Sequence, residues 1–200
     1  MGNEVASFLQ ELRVKPLDDF HCLKTFCSGV ESMDSFIRND FRLSVENHYC
    51  SAYLVMFQDE IVAVFALSFD SLDLDIDDKE ELETGISATG TPVVDWSYKD
   101  TFYAKPRYPA LDIAYLAVQK KWRNQQIGRY IVKTIAEQAR SQSFAGCQFL
   151  TVEALATSEY SAVGFYERCG FTANELPKPY KDTLRLFRTL YTADELLREQ

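Results

Sequence analysis

In residues 122–132, WRNQQIGRYIV, basic Arg123 leads into polar Asn124, Gln125 and Gln126, then Ile127, Gly128 and Arg129, with an apolar pattern at helical spacing. Such a stretch reads as a loop entering a helix N-terminus. The first amides of a helix lack acceptors within it, and the aligned peptide dipoles add partial positive charge there. That is chemistry for holding a phosphate or a diphosphate. Lys120, Lys121, Arg123 and Arg129 surround the place, and Gly128 lets the main chain approach a phosphate oxygen. No Gly-Lys-Ser/Thr follows, so this is not a Walker loop, and no Gly-x-Gly-x-x-Gly fingerprint is present. A lone glycine among basic residues also opens many helices that bind nothing. The loop alone therefore leaves its ligand open.

Other elements must position this loop. The almost wholly apolar run LDIAYLAV (111–118) suits a central strand. KKWRNQQ turns it into a helix whose apolar stripe is Ile127, Ile131, Val132, Ile135, Ala136 and Ala139. Upstream, the pattern predicts a strand within 7–17, a helix over 32–48 capped by Ser32, and a hairpin of CSAYLVMFQ and IVAVFALSF joined at Asp59-Glu60. Downstream, it predicts a strand at 147–155, a helix at 158–169, a short strand near Phe171 and a last strand at 183–191. Thr192–Glu195 is a capping-box pattern for a short terminal helix.

Residues 70–107 read as an irregular insertion. Its first part, Asp70–Glu83, holds eight acids and one lysine and reads as a solvated acidic face. Asp73, Asp75 and Asp77 mimic a calcium loop, but Asp78 stands where that loop needs glycine and Thr84 where it needs glutamate. No repeat or linker divides the chain, so a single mixed α/β domain over 1–200 is expected, with the acidic insertion inside it.

Composition narrows the classes. At 46% apolar residues the chain can build a real core, yet no apolar run is long enough to span a membrane. The start lacks the cationic segment and apolar block of a signal peptide, and Ala6 spoils the resemblance of Met1-Gly2-Asn3 to a myristoylation signal. Five cysteines without a Cys-x-x-Cys, and only two histidines, argue against a disulfide framework or a metal site and fit a reducing cytoplasm. The net charge of -9 argues against general nucleic-acid binding. The acidic stretch carries -7 of it, which leaves room for a local basic patch.

A second segment gives the loop a context. Strand CQFLTVEAL is followed by a helix ending FYERCGF. Together with LDIAYLAVQKKWRNQQIGRYIV it resembles the GNAT superfamily of acyl-CoA N-acyltransferases. Their pyrophosphate loop has the form Arg/Gln-x-x-Gly-x-Gly/Ala. Arg123 matches its first position and Gly128 its last, while Gln126 stands at the middle glycine. A residue with a Cβ can still donate its N–H at negative φ, so this departure need not abolish binding. The late family motif Ala-x-x-Phe-Tyr-x-x-x-Gly-Phe is matched by Ala162, Phe165, Tyr166, Gly170 and Phe171, with Glu159 where an asparagine often stands. The likeness spans about residues 111–171. The N-terminal stretches FCSGVESMDSFIRNDF and YLVMFQDEIVAVFALSF, with YPALDIAYLAV, are similar to a branch of acetyltransferase toxins that modify aminoacyl-tRNA. Their Phe-x-Cys-Gly signature is approached by Phe26-Cys27-Ser28-Gly29.

The resemblance implies a central, mostly antiparallel sheet with a splayed strand pair, flanked by helices, and acetyl-CoA as cosubstrate with no metal. The pantetheine arm would hydrogen-bond the main chain around Leu116, Ala117 and Val118. The diphosphate would sit on Arg123, Asn124, Gln125, Gln126, Ile127, Gly128 and Arg129, with Glu159 nearby. A primary amine of a small molecule or protein attacks the acetyl carbonyl directly. Tyr166 is implied as the acid that protonates the departing thiolate, a phenol being protonated at neutral pH. For the base, Asp112 and Glu153 are the strand-borne acids, with a water chain as the third option; alternation does not choose between them. Aminoacyl-tRNA as acceptor, and a non-catalytic acyl-CoA-binding module, are the competing readings. A homodimer is compatible with the family, and no membrane partner is expected.

Overall fold

In a computed structural model, the protein is described over residues 7–84, 99–173 and 180–191. In order come β1 (Arg13–Pro16), α1 (Glu31–Asn39), α2 (Phe41–Glu46), β2 (Ser51–Phe57), β3 (Glu60–Leu72), α3 (Ile76–Thr84) and α4 (Lys99–Ala104). There follow β4 (Tyr108–Val118), α5 (Ile127–Ser141), β5 (Phe149–Leu155), α6 (Val163–Glu167), β6 (Thr172–Ala173) and β7 (Thr183–Thr189). The strands form a seven-stranded sheet of order β1-β2-β3-β4-β5-β7-β6. Antiparallel ladders join β1 to β2, β2 to β3, β5 to β7 and β6 to β7, whereas Ala110–Asp112 of β4 run parallel to Phe149–Thr151 of β5. A parallel neighbour needs a crossover, and α5 lies between these two strands in sequence.

Two compact units divide the chain. The first takes residues up to Ser68 together with Ile113–Ile135. Its core gathers Leu17, Phe26, Ile37, Phe41, Leu54, Val64 and Tyr115. Phe41 has no exposure and meets Phe20, Phe36 and Tyr115 with ring centroids 5.2–6.2 Å apart. The second unit takes Phe69–Asp112 and the chain from Ala136. There Leu72, Leu82, Phe102, Tyr108, Phe149 and Phe187 pack together.

The apolar stripe read along α5 is buried at each of its six positions. Other expectations need correction. Residues 7–10 are helical, and the first strand starts only at Arg13. The helix over 32–48 is two helices that meet at Asp40, and the first begins after Val30 rather than at a Ser32 cap. Asp34 in that first turn instead accepts from the amides of Ser28 (2.7 Å) and Gly29 (3.1 Å), fastening the Cys27–Gly29 loop. Burial pushes the Asp34 carboxyl up, but the hydrogen bonds from Ser28, Cys27 and Gly29 outweigh it, and the net shift is downward.

The segment 70–107 is not irregular where it is described. β3 continues to Leu72, and α3 and α4 are helices. Asp75 and Asp78 cap α3 reciprocally, each carboxylate accepting the other residue's amide. Glu83 takes Lys99 and the Tyr103 hydroxyl, and their bonds draw its own carboxyl down. The acidic composition thus hid helix-capping and pairing roles. The helix expected from residue 158 starts at Val163, because the Thr157 hydroxyl bonds both amide and carbonyl of Tyr160 and holds a turn there. Residues 85–98 of the insertion and the capping box at 192–195 lie outside the described residues.

Replacing Phe41 by Ala would remove a fully enclosed ring. We expect it to lower unfolding stability by about 3–5 kcal/mol, read from the urea midpoint.

Candidate active site

The loop at 119–129 belongs to the first unit, and its first half is tightly held. The Gln119 amide donates to the Val62 carbonyl (2.9 Å) and the Lys120 amide to the Cys27 carbonyl (2.8 Å). Gly29, at φ +79°, lies so close to Lys120 that an added Cβ would sit 3.0 Å from the lysine Cδ. The Trp122 ring stacks on Phe8 at 5.5 Å and meets Phe57 edge-on at 5.6 Å, and Lys121 pairs with Glu60. Beyond this anchor the chain turns sharply. Asn124 has φ +64° and Gln126 φ +62°. The Tyr130 amide donates to the Gln126 carbonyl (3.0 Å), so Gln126 caps α5. The amides of Ile127 and Gly128 then have no acceptor within the helix, as phosphate recognition requires.

Gln126 does not take the negative φ at which a residue with a Cβ most readily donates its N–H. It adopts the left-handed conformation that favours glycine. Asparagine tolerates that region; glutamine adopts it at a cost. Non-glycine residues held this way concentrate where a ligand dictates the backbone. Arg123 and Gln125 are half-buried, Asn124, Gln126 and Arg129 exposed, and the Ile127 side chain buried. On β4, Ala117 is buried and Leu116 and Val118 are partly so.

The second unit carries the titratable cluster. Asp112 and Thr151 are ladder partners across β4 and β5, and Glu153 and Arg185 across β5 and β7. Thr151 and Glu153, two apart on one strand, share a face. The result is a row of polar groups on one side of the sheet. Thr151 Oγ1 lies 2.5 Å from Asp70 Oδ2 and 3.2 Å from Asp112 Oδ1. Arg185 reaches Asp70 Oδ2 at 2.5 Å and Glu153 Oε1 at 3.5 Å. Glu153 also accepts from the Thr183 hydroxyl (2.9 Å) and pairs with Lys181 (3.1 Å).

These surroundings separate the acids. Burial, then repulsion from Asp70, pushes the Asp112 carboxyl up to about 6, with Glu153 adding to it and Thr151 and Arg185 opposing. Burial also works against the Asp70 carboxylate, but bonds from Thr151 and Arg185 more than offset it and hold that group low. Tyr166, on α6, is 5% exposed. Burial first, and the Asp112 charge second, push its phenol well above the ordinary range. Phe165 and Phe171 box its ring at 4.9 and 5.3 Å. Gly170 ends the helix at φ +85°, where only the backbone angle demands glycine, since an added Cβ would have ordinary room beside Arg188.

The sequence-predicted acids Asp112 and Tyr166 are thus brought within electrostatic reach of each other. Glu153 is exposed and committed to Thr183, Lys181 and Arg185. Glu159 is also exposed, outside any helix. Sequence reasoning missed Asp70, Thr151 and Arg185.

Residues 89–173, less than half of the chain, match the family model described as the acetyltransferase (GNAT) domain. That segment is similar to GNAT acetyltransferase domains. A search of the curated proteins finds no match to the sequence. Among solved structures, this chain is similar to a bacterial toxin at 15% identity and TM-score 0.65, covering 94% of each chain. It is similar to AtaT complexed with acetyl-methionyl-tRNAfMet at 17% identity and TM-score 0.61, covering 94% of this chain and 98% of that one. It is also similar to AtaTR bound with acetyl-CoA at 16% identity and TM-score 0.59, covering 96% and 99%. At these identities the likeness establishes the fold. Among the described residues no helix is long and apolar enough to cross a membrane.

Glycine at position 126 relieves the left-handed glutamine. Gln126→Gly is expected to raise unfolding stability by up to about 1 kcal/mol, while the β-branched Gln126→Val lowers it, both measured by urea unfolding.

Proposed function

We propose that this acetyltransferase moves the acetyl group of acetyl-CoA to a primary amine by direct attack, with Asp112 as base and Tyr166 as proton donor. The observation that carries the reading is the pairing of a half-buried carboxyl that titrates near neutrality with a buried neutral phenol, inside the segment matching the GNAT domain. A base serves best when its pKa lies near the working pH. Asp112 meets that condition and Glu153, exposed among cations, is the weaker candidate.

The loop takes the other end of the donor. The amides of Ile127 and Gly128, with Asn124, Gln125, Gln126, Arg123 and Arg129 around them, hold the diphosphate. The main chain of Leu116, Ala117 and Val118 pairs with the pantetheine arm, and Glu159 stands in the family's asparagine position.

The chemistry balances without a covalent enzyme intermediate. The amine nitrogen bonds to the acetyl carbon, and its surplus proton goes to Asp112. The carbon–sulfur bond breaks, and the leaving thiolate takes the phenol proton of Tyr166. Since the phenol is a weak acid in its setting, it acts foremost as a hydrogen-bond donor to the developing thiolate, which is the form of help that rises in the transition state.

Aminoacyl-tRNA is the second acceptor reading, favoured by the near-full-length likeness to a toxin complexed with acetyl-methionyl-tRNAfMet. Against it stands the net charge of -9. The two separate in one assay of coenzyme A release with a panel of small amines, peptides and charged tRNA. Release with tRNA alone would replace the first reading by the second.

Tyr166→Phe is expected to lower turnover about tenfold or more, with acetyl-CoA affinity unchanged by calorimetry. Unchanged turnover removes Tyr166 from the mechanism. Asp112 must be ionised to accept a proton, so kcat/KM should fall as pH drops through about 6, and Asp112→Asn should abolish that limb along with most of the activity.

A further inference from the structure

Asp70 opens the acidic stretch in sequence, yet it sits on β3 with only 23% of its side chain exposed, beside an arginine equally covered. Its neighbours explain why a carboxylate belongs there. Thr151 has one hydroxyl proton and two carboxylates within reach, Asp70 at 2.5 Å and Asp112 at 3.2 Å. The proton can serve only one of them. The short contact, and the Arg185 guanidinium 2.5 Å away on the same Asp70 oxygen, assign it to Asp70. Ionised Asp112 therefore receives the longer and weaker of the two contacts from that hydroxyl. When Asp112 holds a proton, it can instead donate to the lone pairs of the Thr151 hydroxyl.

We propose that Asp70, braced by Arg185, is a positioning residue that acts through the Thr151 hydroxyl on Asp112, making Asp112 the member of the pair that takes up and yields the exchangeable proton. The inference rests on the reading of Asp112 as base and explains how the sheet makes one of two like carboxyls fit for it. Two acids of the same chemistry are driven apart by their settings, one locked ionised and the other left to titrate. The charged and titratable groups facing Asp112 are Asp70 from β3, Glu153 from β5, Arg185 from β7 and Tyr166 from α6. Of these, Asp70 alone shares a hydrogen-bonding hydroxyl with it in the bonds described here.

The decisive measurement follows the Asp112 side-chain carboxyl by carbon NMR across pH in the full chain, and it needs no acceptor. The wild-type midpoint is expected near 6. Asp70→Asn should move it down toward the ordinary aspartate value of about 4, because repulsion is lost and Arg185 is freed. Thr151→Val should alter the midpoint, whereas Thr151→Ser, which keeps the hydroxyl, should preserve it. Asp70→Glu should restore most of the wild-type value. Thermal unfolding of each variant checks that it folds. A midpoint unmoved in Asp70→Asn overturns the proposal even if Asp112→Asn proves inactive, in which case the base reading stands alone. Full activity in Asp112→Asn overturns both.

Discussion

Two carboxylates converge on one hydroxyl proton, and much of the second unit is arranged around that shortage. Thr151 is completely buried on β5, where its strand partner is Asp112. Asp70 arrives from β3 and Arg185 from β7. An unpaired buried charge is costly, so each ion needs its partner. Arg185 supplies one for Asp70 and part of one for Glu153. For Asp112, burial and the repulsion of Asp70 outweigh the help of Thr151 and Arg185, which favours its protonated form. Here the site's reactivity and its stability pull in opposite directions, a familiar tension where function stores unfavourable electrostatics.

The parts of the fold legible in sequence are those governed by short-range periodicity. The α5 stripe, the β2–β3 hairpin and the apolar β4 each follow from spacing alone, and each is where the pattern puts it. What escaped depends on partners far away in sequence. Asp70 looked like the first of eight solvated acids, because nothing local says that β3 runs on to Leu72 or that an arginine 115 residues later will meet it. Thr151 looked like an ordinary strand residue until its register with Asp112 was fixed. One signal was readable: Thr151 and Glu153 alternate onto one face of a strand, which makes a polar face on an otherwise apolar element. Local competition caused other misses. A threonine turn at Thr157 shortened one helix, because side-chain hydrogen bonds can outbid periodicity, and another divides at Asp40, where φ is -118°.

The loop ahead of α5 teaches a related lesson. Its motif lacks a glycine, and a residue with a Cβ settles most readily at negative φ. Gln126 does not, and neither does Asn124. The anchor upstream explains how this is enforced. With Gln119 and Lys120 tied by their amides to Val62 and Cys27, and Trp122 wedged between two phenylalanines, the chain must reach the helix start within a few residues. Two left-handed residues make the turn short enough. The turn thus holds its path with a glutamine at the left-handed position. Asp34 extends the same logic backwards, since the Cys27 loop it fastens is itself what holds Lys120.

Tyr166 and Asp112 must finally be considered together, because the Asp112 charge raises the proton affinity of the Tyr166 phenol. The ionised carboxylate makes the phenol harder to ionise, and both sit where burial disfavours charge. At neutral pH the resting pair is therefore one anion beside one neutral hydroxyl. Once Asp112 has taken the amine's proton, its charge is gone and the phenol becomes easier to ionise. The electrostatic obstacle to proton donation by Tyr166 thus falls at the moment the thiolate forms. In the proposed reaction, coupling of this kind would order the two proton transfers, base first and acid second, with no moving part beyond the protons themselves.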